Sequence, residues 1–118
     1  LINEERSRQD LPTLHTHPAL VSAACLHAQD MVHRQYFSHT SPEGEDPSDR
    51  LRAVGYLGDD PTATHVLGEN IARGPTLPAP VFELWMRSPQ HRAIMLSRTF
   101  RDIGLCHTDD RWVATFGG

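Results

Sequence analysis

The sequence predicts an α+β fold in which helices cover a small antiparallel sheet. The stretch from Pro18 to about Gln35 repeats its apolar residues at helical spacing. Two strand-like runs, 103–107 and 112–116, close the chain as a hairpin. The remaining helix signals precede that hairpin, so helices are expected to pack on the sheet it builds. The chain has 118 residues, enough for one domain around a single hydrophobic core.

Each element has its own signal. Residues 1–9, LINEERSRQ, read as a short charged helix that stops before Pro12. His17-Pro18 opens the strongest helix, because Pro18 suits a first helical position, where a missing N–H costs nothing. Leu20, Ala24, His27 and Met31 fall on one stripe, and Val21, Cys25, Ala28 and Val32 on the next. Together they form a face wide enough to be covered by a sheet or another helix. That helix is expected to fade near Gln35, and residues 36–42 follow as an ordered loop. Asp46-Pro47-Ser48-Asp49 starts a short helix with a capping residue, a proline at the first position and an acid near the positive dipole end. It carries Leu51 and Val54 and ends at Gly55. Residues 57–64 are loop by composition, and residues 66–72 extended. After a proline-rich connector, 75–80, the residues Val81, Leu84 and Trp85 mark an amphipathic helix. Ser88-Pro89 restarts helix through Leu96, with Ser88 as its cap, and Asp109-Asp110 supplies the turn of the closing hairpin.

Composition narrows the function classes. Hydrophobic residues make up 38% and charged residues 22%, the balance of a soluble globular chain. A net charge of −4 gives no electrostatic reason to expect nucleic acid or an anionic membrane surface as partner. No apolar run approaches the roughly 20 residues of a membrane span, and no signal peptide is visible. The chain begins inside a helix and ends directly after a strand, and so reads as a domain excised from a longer protein. Its two cysteines, Cys25 and Cys106, are too far apart for a local metal or redox motif. A long-range disulfide and a pair of buried free thiols both remain open.

Four segments taken together resemble bacterial members of the CAP (SCP-like) superfamily. They are Tyr36-Phe37-Ser38-His39-Thr40-Ser41-Pro42, Gly68-Glu69-Asn70-Ile71-Ala72, Trp85-Met86-Arg87-Ser88-Pro89-Gln90-His91-Arg92, and Asp102-Ile103-Gly104-Leu105. They occur in the family's order and spacing, and the resemblance covers residues 1–118 as one domain. It implies a three-layer α/β/α sandwich around an antiparallel sheet, and an exported protein acting as a monomer. It also implies an open cleft of two His and two Glu that in some members holds a divalent metal. His39 matches the first histidine, Glu69 the first glutamate and His91 the second histidine. The second glutamate falls on Ser88, and an amide of the family's histidine helix is replaced by Ile94. Ser41, Asn70 and Ser88 complete the expected cleft.

Two imidazoles and a carboxylate are the donor types that hold zinc, with water filling the remaining positions. His91, near a predicted helix start, is disfavoured as imidazolium and so available as ligand or base. The same trio without metal could orient a base for hydrolysis, with Ser38, Ser41 and Ser88 as nearby hydroxyls, but no Gly-x-Ser-x-Gly elbow is present. A hydrogen-bonded cluster that merely locks loops together is the plain structural alternative. Three functions follow: an extracellular binding module whose cleft holds a divalent metal (zinc first) and a cell-envelope, peptide or lipid ligand; a metal-assisted hydrolase of peptides or cell-wall material; and a structural or adhesive domain. The other histidines carry less. His27 reads as a core-edge side chain, His15 and His17 as exposed, and His33, His65 and His107 show no partner. Trp85 reads as core, Trp112 as core or cleft rim, and Tyr36 and Phe37 as anchors of the His39 loop. Asp59-Asp60 and Asp109-Asp110 read as turns.

Overall fold

The computed structural model describes residues 1–58 and 66–118. The elements are α1 (Ile2–Arg8), β1 (His15–Thr16), α2 (Pro18–His33), α3 (Pro47–Ala53), β2 (Leu67–Arg73), α4 (Pro78–Arg87), α5 (Pro89–Met95), β3 (Asp102–Thr108) and β4 (Arg111–Gly117). The expected turn at Asp59-Asp60, and His65, lie outside the described residues.

The four strands form one sheet in the order β1-β3-β4-β2. β3 pairs antiparallel with β4 and β4 with β2, as the closing hairpin predicts. The two-residue β1 adds a parallel bridge to β3, which the sequence reading did not foresee. Asp109 turns the hairpin with φ 49, a left-handed conformation that Asp tolerates better than most residues.

Side chains alternate across the sheet, so its two faces carry different cores. On one face Ile71 and Val113 pack with Ala24, Ala28 and Met31 of α2. On the other, Ala72, Trp112, Ala114 and Phe116 pack with Val81 and Trp85 of α4 and Met95 of α5, and Ile2 of α1 joins them. The result is the expected three-layer α/β/α sandwich. Gly104 of β3 permits the close approach of α2, since a Cβ there would run into the Leu20–Val21 peptide. Cys25 of α2 and Cys106 of β3 are disulfide-bonded, which decides between bridge and free thiols.

Several local expectations need correction. Leu84 is exposed on α4, because Val81 and Trp85 already fill the buried stripe. Phe37 is also exposed; of the two aromatics only Tyr36 anchors the loop, packing on the α2 core and donating its hydroxyl to Asp30 Oδ2 at 2.6 Å. His17 is half-buried as the α2 cap, its Nδ1 accepting from the Ala19 N–H. Ser88 occupies the cap position of α5 but makes no side-chain cap bond. Trp112 belongs to the core, its indole N–H donating to the Pro75 carbonyl, and His107 stacks on its ring at 4.2 Å.

Candidate functional site

β2 is an edge strand, and its two faces reach different layers. Glu69 shares the α2 face with Ile71, whereas Asn70 points into the α4/α5 layer. The candidate site wraps around this edge. His39 comes to it from the loop after α2, and His91 from α5 on the other side.

Glu69 is the centre of the site. Its side chain is only 3% exposed, and both carboxylate oxygens are engaged. His39 Nδ1 lies 2.9 Å from Oε1, and Arg50 Nη2 donates to Oε2 at 2.8 Å. The same Nη2 donates to the His39 carbonyl at 2.8 Å, and Arg50 Nη1 to the Glu45 carbonyl at 3.2 Å. A buried carboxylate needs a counter-charge, and the buried Arg50 supplies it from α3. An ionised carboxylate only accepts, so in the neutral form of His39 the contact with Glu69 places the ring proton on Nδ1 and leaves Nε2 as the acceptor.

His27 stands behind this pair. It is buried, donates from Nε2 to the Ser38 carbonyl at 2.9 Å, and lies 3.9 Å from Glu69 Oε1. Burial pushes its imidazole below the usual value, with Glu69 opposing that shift, so the ring is held neutral at physiological pH. The His39 loop is therefore bonded at two successive carbonyls, Ser38 by His27 and His39 by Arg50. The reading of His27 as a core-edge residue was right about its burial and missed its place beside Glu69. Arg50 was missed altogether.

His91 sits half-buried at the start of α5. Its Nδ1 lies 2.7 Å from Ser88 Oγ, which explains why that hydroxyl leaves the helix uncapped. Burial, with the nearby His39 second, lowers its pKa, so His91 too is neutral near pH 7. Asn70 is fully buried and holds this corner by donating from Nδ2 to the His91 carbonyl at 3.0 Å, while its Oδ1 has no partner among the described residues. Ser41 is buried in the adjoining turn, where Oγ accepts from the Glu45 N–H and the backbone closes on Glu45. Its hydroxyl is thus committed to the loop.

Of the residues singled out in the sequence, the structure joins His39 to Glu69 directly. It brings His91 to the same strand edge through Asn70, with Ser88 orienting its ring. Among the described residues no group of three or more His, Cys, Asp or Glu is arranged to hold a metal ion. Ser88 stands where a fourth donor is expected, and an ion at Glu69 would have to displace Arg50. As these side chains are arranged, Glu69 is not free to ligate a divalent cation directly.

The pattern of the Cysteine-rich secretory protein family, CAP, matches residues 1–114. The chain belongs to the CAP family. This CAP domain is 33% identical over 120 residues to the uncharacterized protein YkwD of Bacillus subtilis (strain 168), covering 100% of this chain and 44% of that one. It superposes with a TM-score of 0.87 and 31% identity on an extracellular protein containing an SCP domain from Bacillus anthracis str. Ames, covering 98% of this chain and 37% of that one. An outer surface protein from Borrelia burgdorferi matches with a TM-score of 0.83 and 25% identity, over 98% of this chain and 85% of that one. The domain thus spans less than half the length of its Bacillus relatives. No helix among the described residues is long and apolar enough to cross a membrane.

Proposed function

We propose that this CAP domain is an extracellular binding module whose cleft, built on His39, Glu69 and His91, takes a cell-envelope, peptide or lipid ligand without turning it over. One observation carries the reading. The His39 side chain is 51% exposed, yet its Nδ1 is tied to a carboxylate that is 3% exposed and charge-balanced by Arg50. An exposed ring held in one tautomer and one orientation by buried groups is preorganised to accept a hydrogen bond from a ligand. His91, neutral and oriented by Ser88, offers a second imidazole at the same edge. Extracellular placement is supported by the solved SCP-domain protein described as extracellular and by the outer surface protein. The disulfide suits an oxidising compartment.

Both Glu69 oxygens are engaged by Arg50 and His39, which leaves that carboxylate no free oxygen to act as a general base.

The test is an NMR titration of the imidazole resonances with a soluble disaccharide-peptide from peptidoglycan, run beside a zinc titration. The expected result is saturable shifts of His39 and His91 with the glycopeptide, lost in His39→Ala, and an uncleaved probe at the end. Zinc binding in the micromolar range that His39→Ala abolishes would reassign the cleft to a metal. Silence toward both would leave the cluster a structural lock.

A further inference from the structure

A groove of about 570 Å3 at the α4–α5 corner is lined by Met86, Arg87, Pro89, Arg92, Ala93 and Leu96. It shares no lining residue with the His39 cleft, although Ser88 and His91 of that cleft lie between its lining residues in sequence.

Its charge contradicts the chain as a whole. Residues 86–101 hold Arg87, Arg92, Arg98 and Arg101 and no Asp or Glu, while the rest of the chain sets seven arginines against 15 carboxylates. All 11 cationic side chains are arginine. Arg8, Arg34, Arg50, Arg52 and Arg111 each lie within 4.0 Å of a carboxylate, and the buried Arg6 donates to the Pro12, Met95 and Ser97 carbonyls. Among the described residues, none of the four arginines at 87–101 makes such a pair. Even Glu83, one helical turn before Arg87, stays outside that range.

The groove also has a particular texture. Arg87 and Arg92 are exposed, whereas Met86 and Leu96 are half-buried. None of the chain's exposed large apolar side chains lines it. Nothing apolar therefore projects from it to enter a bilayer, and its floor suits an aliphatic segment lying within it. Planar guanidinium forks match phosphate oxygens in two-point hydrogen bonds. Several forks in one short stretch, with no carboxylate within 4.0 Å among the described residues, suit repeated charges better than a single ion.

We propose that this groove binds an extended polyanion of phosphodiester units joined by short aliphatic linkers, with Arg87 and Arg92 on successive phosphates and Met86 and Leu96 under the linker.

The test measures fluorescence anisotropy of a labelled glycerol phosphate oligomer against the intact domain at several salt concentrations. The comparison proteins are Arg87→Ala/Arg92→Ala and Arg73→Ala, an exposed arginine at the end of β2 that does not line the groove. The expected outcome is saturable binding that weakens with salt, a loss of at least tenfold in the double variant, and a salt dependence flatter by about one to two phosphate contacts. Arg73→Ala should stay within about twofold of the parent, and inorganic polyphosphate, which lacks linkers, should bind more weakly than the oligomer. Absence of saturable binding overturns the proposal, as does a double variant that binds as tightly as the parent. Equal loss in Arg73→Ala would also overturn it, by reducing the effect to overall charge. Binding to phosphatidylglycerol vesicles without binding to the oligomer would assign the face to a membrane and overturn it too.

Discussion

Arg50 sets its guanidinium against Glu69 Oε2 and the His39 carbonyl while its side chain stays 7% exposed. Removing one partner of such a pair leaves an uncompensated buried charge, which costs more than the pair itself contributes. Arg50→Ala should therefore lower stability by about 3–5 kcal/mol, read as a shifted urea midpoint. The paired change Arg50→Met with Glu69→Leu should cost clearly less than the two single changes summed, because no lone charge remains. A loss below about 1 kcal/mol for Arg50→Ala, inside the range of an exposed pair, would mean that Glu69 finds its counter-charge elsewhere. The sequence concealed this residue for a physical reason. An arginine beside Leu51 on a short helix is ordinarily solvated, and only the fold shows the carboxylate opposite it. Glu69 and His39 were legible because their segments resembled the family's, not because spacing alone placed them together. His27 was legible as buried from its apolar stripe, but its bond to Ser38 depends on a turn that no period encodes.

The element that presents Arg50 is α3, and its start was readable residue by residue. Asp46 accepts from the Asp49 N–H at 3.0 Å, and the Asp49 side chain returns a bond to the Asp46 N–H at 3.0 Å, closing a reciprocal cap. The Ser48 hydroxyl, then the Asp49 N–H, hold the Asp46 carboxyl below its usual range. Asp46→Ala should cost about 1 kcal/mol in thermal or urea unfolding. It should also broaden the His39 imidazole signal, since a fraying α3 loosens the guanidinium on the His39 carbonyl. A signal as sharp as the parent's would show that Arg50 is held by its partners and not by its helix. Elements of this kind were predictable because caps, prolines and apolar spacing are local. The two-residue β1 was not, since two residues carry no period and its pairing with β3 is set by where α1 and α2 are docked. The uncapped start of α5 was likewise unreadable, because a serine before a proline signals a cap until His91 claims its hydroxyl.

The whole molecule is closed by the bond between Cys25 and Cys106, 81 residues apart. The chain between them contains His39, α3, β2, α4, α5 and His91, so every part of the candidate cleft lies inside the cross-linked loop. Sequence could name the two cysteines but not pair them, because pairing needs α2 and β3 side by side, and that contact is set by the bare backbone at Gly104. In the chain-entropy account a loop of this length limits the unfolded ensemble by about 4.5 kcal/mol, and measured bridges commonly give about 2–4 kcal/mol. Reduction of the folded domain should therefore lower its unfolding free energy by about 2–4 kcal/mol, and Cys25→Ala/Cys106→Ala should match it. The cleft itself should survive, because none of its hydrogen bonds involves either sulfur. The His39 and His91 imidazole signals of the reduced, still folded domain should thus stay where the oxidised domain has them. A stability loss under about 0.5 kcal/mol, the range of an indifferent surface change, would show that the packing of α2 on Gly104 already supplies the constraint. Displaced imidazole signals at unchanged stability would instead show that the bridge sets the cleft geometry, making the redox state of the compartment a control on ligand binding.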